Sequence, residues 1–124
     1  MTKLEIAPTQ STPKVVFDPS SNRFEVSGLS KSEFPGEFYE QITMWANENL
    51  KEPLDKMVFN IELIYMNSSS AKRLLEFFKV LQNHYQKGID MEINWHHSQE
   101  DESIIESGSS YQESLEMPFN LIAH

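Results

Sequence analysis

The chain has 124 residues, 39% apolar and 23% charged, with no cysteine. That length and balance suit one globular domain with its own core, and the absent cysteines exclude a disulfide framework, a thiol nucleophile and a Cys-type zinc site. The net charge of −9 is concentrated: residues 88–124 hold eight acids and no Lys or Arg, a surface that repels phosphate backbones and anionic lipid, so neither nucleic acid nor membrane is an expected partner. The acidic stretch reads either as a solvated face or as a docking surface for a basic partner.

In chain order, Leu4 to Ile6 reads as a short strand ending near Pro8. Thr12 to Phe17 and Arg23 to Ser27 read as a β-hairpin around the turn residues Asp18 to Asn22. Pro35 suits a helix start, with Ser32 as a cap, and Gly36 to Leu50 follows as a helix with Phe38, Ile42, Trp45 and Ala46 on its buried side, stopped by Pro53. Met57 to Tyr65 is the clearest strand, with Met57, Phe59, Ile61, Leu63 and Tyr65 on one face. Asn67-Ser68-Ser69-Ser70 signals a helix N-terminus, and Leu74, Phe78 and Leu81 mark a buried stripe running toward Lys87 and the Gly88 stop. Met91 to Trp95 is a further strand, and Asp101 to Gln112 an acidic helix interrupted near Gly108. Residues 117–124 read as a loose tail outside a single domain of residues 1–116.

The expected order is β-β-β-α-β-α-β-α, an α/β domain with a mixed sheet. The strand-helix-strand unit over 57–95 demands a right-handed parallel crossover. Glu25, Asn60, Glu62, Glu92 and Asn94 alternate away from the apolar positions. The helices therefore belong mainly on one face, leaving a partly polar face that is either wet or a partner or homodimer surface.

Most enzyme signatures fail. There is no Gly-rich phosphate loop. Ser68 sits at a strand-to-helix junction, but a nucleophile elbow needs small residues two before and two after, where Met66 and Ser70 stand. His96 and His97 point to opposite sides of a strand, make a poor chelating pair, and match no zinc spacing, so no metal or other cofactor is expected. Glu100-Asp101-Glu102 opens a helix, where acids suit the dipole.

The stretch Asn67 to Arg73 carries the main functional signal. A phosphate on a hydroxyl of the first helical turn meets unpaired backbone N–H groups and a favourable dipole worth about 0.3–1 kcal/mol. Lys72 lies one turn beyond Ser68, and Arg73 is close by; either could pair with phosphoryl oxygens. The competing reading is that the serines only cap a helix.

Motifs spread over Leu4 to Leu115 resemble the SiaC family of bacterial regulatory phosphoproteins: Thr12-Pro13-x-Val15-x-Phe17-Asp18, Ser27-Gly28-x-Ser30, Phe38-Tyr39 with Trp45, Leu63-x-Tyr65-x-Asn67-Ser68-Ser69-Ser70-x-Lys72, Asn94-Trp95, and Asp101-Glu102-x-x-x-Glu106-x-Gly108. The resemblance implies a STAS-like fold and a non-enzymatic partner switch; no apolar run approaches a membrane span and the N-terminus has no apolar h-region, so a cytoplasmic location is expected. A cognate Ser/Thr kinase would phosphorylate Ser68, with Ser69 and Ser70 as alternatives, and a metal-dependent phosphatase would reverse it. The unphosphorylated form would bind and activate a diguanylate cyclase in cyclic-di-GMP signalling that governs biofilm growth. Tyr65, Asn67, Ser69, Ser70, Lys72 and Arg73 would flank the phosphosite and meet the partner.

Overall fold

The computed structural model describes residues 1–51 and 55–124; the expected helix stop at Pro53 lies outside the described residues. Six strands form one sheet in the order β1 (Leu4–Ile6), β2 (Lys14–Asp18), β3 (Arg23–Ser30), β4 (Met57–Met66), β5 (Met91–His97) and β6 (Phe119–Ala123). The first two pairings are antiparallel and the last three parallel. The hairpin between β2 and β3 turns where Asp18 Oδ1 accepts from Ser20 N and Asn22 takes a left-handed conformation.

Helices α1 (Gly36–Asn49), α2 (Ser68–Gln86) and α3 (Glu102–Ser114) each link one parallel strand to the next. Strand order follows chain order, so successive right-handed crossovers wind in one direction and lay all three helices on the same face. That face holds one core. Phe17, Phe24, Phe59 and Trp45 pack with Phe77 at one end, and Phe78, Trp95, Tyr111 and Phe119 pack at the other. The opposite face is polar, as the alternation requires: Glu25, Asn60, Asn94 and Asn120 stand side by side in register across four strands.

Four local expectations are corrected. Residues 117–124, read as a loose tail, supply edge strand β6, and its Phe119 is buried in the core. Helix α3 runs unbroken through Gly108 because the glycine is a packing requirement: a Cβ there would stand 2.4 Å from Trp95 Cδ1. Ser32 does not cap α1; its hydroxyl accepts from Phe34 N, and Pro35 precedes the first turn. Tyr65 does not join the buried face of β4. The register with β3 shifts between Gly28 and Leu29, so that Leu63 faces Gly28 but Tyr65 faces Leu29. This bulge leaves Ile64 unpaired and turns Tyr65, 52% exposed, to the same side as Ile64, which alternation with Asn60 and Glu62 already points outward and which is 70% exposed.

Candidate functional site

The junction from β4 to α2 is built on Asn67. Its side-chain Oδ1 accepts from Ser70 N at 2.8 Å, satisfying one of the open donors of the first turn. The same amide donates to Ser32 O at 2.9 Å, and Asn67 N donates to Ser30 O at 3.0 Å. One residue therefore caps α2 and ties it to the connection leading into α1. From the other side, Tyr111 of α3 donates its hydroxyl to Ala71 O at 2.8 Å. The turn is clamped by both flanking helical segments before any partner arrives.

The three serines separate sharply. Ser68 and Ser69 are exposed, whereas Ser70 is 0% exposed and its Oγ meets no hydrogen-bond partner among the described residues. Ser70 lies beside Tyr39, whose phenol shares a 2.7 Å hydrogen bond with Ser30 Oγ. Burial pushes the Tyr39 phenol up to about 12, tempered by its hydrogen bond with Ser30. Ser30, Tyr39 and Ser70 thus form a polar seam under the turn, while Ser68 and Ser69 are its outer surface.

The first turn of α2 itself suits an anion. The first turn of α2 holds no acid, and its N-terminal dipole is uncompensated. Lys72 is exposed and makes no ion pair among the described residues. Arg73 pairs with Glu76 at 3.4 Å and lies against Gly36, where a Cβ would come within 3.1 Å of its guanidinium. A hollow between the starts of α1 and α2 is lined by Phe34, Gly36, Ser69, Lys72 and Arg73, and by the acids Glu33, Glu37 and Glu76. Phe34 is 86% exposed and, with Tyr65 and Ile64, gives the surroundings an apolar component. Tyr65, Asn67, Ser68, Ser69, Lys72 and Arg73 all stand at the junction of β4 and α2, with Ser70 buried beneath it. The exposure of Phe34 depends on the path of the connection into α1, which local pattern does not encode.

A family model described as SiaC family regulatory phosphoprotein matches residues 6–124. The chain belongs to that family. It is similar to SiaC of Pseudomonas aeruginosa, with a TM-score of 0.88 at 27% identity over the whole of both chains. It resembles equally, at 28% identity and a TM-score of 0.88, a chain in the crystal structure of diguanylate cyclase SiaD in complex with its activator SiaC, covering 98% of this chain and 99% of that one. A curated relative, the uncharacterized protein PA14_02130 of the same species, is 28% identical over 100% of this chain and 98% of its own length. The family is regulatory rather than catalytic, in keeping with the failed enzyme motifs. The match reaches residue 124, so the segment forming β6 belongs to the family unit. No helix among the described residues is long and apolar enough to cross a membrane.

Proposed function

We propose that this chain is a cytoplasmic partner switch that, with Ser68 unmodified, binds and activates a diguanylate cyclase, and so promotes cyclic-di-GMP-dependent biofilm growth. A cognate Ser/Thr kinase phosphorylates Ser68, and a metal-dependent phosphatase restores the active form. The observation that carries this reading is an exposed Ser68 on a preorganised, acid-free first turn, one helical turn before an exposed Lys72 that makes no ion pair among the described residues. A likeness over nearly its full length to a SiaC that assembles with a diguanylate cyclase supports the choice of partner.

Ser68 is preferred over its neighbours on two grounds. Ser70 is sealed in the core and would reach a kinase only if α2 came away. Ser69 is exposed but lines the hollow toward α1, one step further around the helix from the strand end. A phosphate on Ser68 adds roughly −2 charge where backbone N–H groups and Lys72 accept it without rearranging the fold. It changes the binding surface rather than the domain. Phosphopeptide mapping after incubation with the kinase from the same organism tests the assignment. The label is expected on Ser68 and absent from Ser68→Ala, with circular dichroism unchanged. Label on Ser69 in the unaltered chain contradicts it.

A further inference from the structure

On the polar face of the sheet, away from the helices, Glu62, His96 and His124 converge. Their ligand-type atoms all lie within 4.8 Å of one another. Glu62 comes from β4 and His96 from the neighbouring β5, one step beyond the paired residues Ile61 and Trp95. His124 follows β6, and its backbone is held on both sides: its N–H donates to His97 O at 2.9 Å, and its carbonyl accepts from Gln99 N at 3.3 Å. We infer that this trio is a binding site for a divalent transition-metal ion of the zinc type.

The orientation of His96 carries the inference beyond mere proximity. Its Nε2 donates to Asn60 Oδ1 at 2.7 Å, which leaves the lone pair on Nδ1. That Nδ1 faces His124 Nε2 at 2.7 Å. An outer hydrogen bond that fixes the tautomer and aims the free nitrogen inward is the arrangement seen around metal-bound histidines. In the metal-free state the Nε2–H of His124 donates to His96 Nδ1. When a cation binds, that proton moves to Nδ1 of His124, and both imidazoles present lone pairs with no net proton released by either ring. Zinc holds nitrogens at about 2.0–2.1 Å in tetrahedral geometry, which places two of them roughly 3.3 Å apart. The rings need only part slightly, and His124 is exposed enough to do so.

Two imidazoles and one carboxylate leave a fourth position open for water or a partner's ligand. The nitrogen-rich set selects zinc-class ions over magnesium and calcium, which prefer oxygen. Glu25, across the same hollow, adds negative potential without being needed as a ligand. The sequence concealed this site because its members come from three separate segments: the middle of β4, the end of β5 and the residue after β6. The adjacent His97 takes no part; its ring lies against Ser98 O. Bound metal would pin the end of edge strand β6 to β4 and β5.

Titration of the full chain with Zn²⁺ alone, by calorimetry, tests the site, with Co²⁺ absorption reporting coordination geometry. One saturable ion per chain is expected, with a tetrahedral Co²⁺ spectrum. His96→Gln, His124→Gln and Glu62→Gln should each weaken binding by roughly 10–100-fold, while His97→Gln and His84→Gln leave it unchanged. His124→Gln lies on an exposed side chain, so its fold is secure. Absence of saturable binding, or binding that survives His124→Gln and His96→Gln undiminished, overturns the inference.

Discussion

At the scale of single residues, the difference between Ser68 and Ser70 decides what the turn can do. Both are serines at the start of one helix, yet one hydroxyl faces solvent and the other is sealed beside Tyr39. A modification that works by occupying the surface should be reproduced by bulk as well as by charge. Ser68→Asp is expected to weaken cyclase binding, and Ser68→Leu to weaken it comparably, since both displace a partner and remove the serine hydroxyl's hydrogen bond, worth about 0.5–1.5 kcal/mol. Wild-type affinity for Ser68→Leu beside lost affinity for Ser68→Asp, measured by calorimetry, would assign release to charge alone. The identity of Ser68 as candidate was legible in the sequence because Asn-Ser chemistry at a helix start is local. The burial of Ser70 was not, because it depends on where Tyr39 and Ser30 fall in space.

Between elements, Asn67 and Gly108 are the two residues on which junctions depend. Asn67→Ala removes the α2 cap and the tie to Ser32 together. A loss of about 1–2 kcal/mol is expected in denaturant unfolding, more than a surface cap alone usually supplies. Gly108→Ala drives a methyl into the Trp95 ring, whose indole N–H is already committed to Ile104 O. A ring so fixed does not swing aside, and a loss of about 1–3 kcal/mol is expected from the same measurement. Neither the tie from Asn67 to Ser32 nor the close packing at Gly108 is visible in local sequence. A glycine in a helical pattern suggests a break by propensity, and close packing against another element overrides it. The outward turn of Tyr65 likewise comes from the register between β3 and β4, which the pattern of β4 alone does not contain.

For the whole molecule, one-directional winding explains why a helical face, a polar face and a shared edge of strand ends coexist. The alternation of polar and apolar residues made the two faces legible. Strand β6 was hidden because its segment is short, includes Asn120 and gains its partner only through the α3 crossover. The single core also makes an alkaline prediction. Burial raises the phenols of both Tyr39, to about 12, and Tyr111. Groups whose folded pKa exceeds the unfolded value of about 10 contribute stability in full below that value and lose it as pH rises through the folded pKa. Stability should therefore fall between about pH 10 and 12, by on the order of 2 kcal/mol for Tyr39 alone. Tyr39→Phe should flatten that fall in denaturant midpoints taken across the range, and an unchanged slope would contradict the role given to burial.

In the proposed switch, an unmodified Ser68 turn activates a cyclase and phosphate on Ser68 withdraws the activation. The switch is tested most directly by the rate of cyclic-di-GMP synthesis by the diguanylate cyclase of the same organism, measured with the unphosphorylated chain and with the chain phosphorylated on Ser68. Strong stimulation by the first and none above background by the second is the predicted result. Equal stimulation by both forms, or none by either, would contradict it.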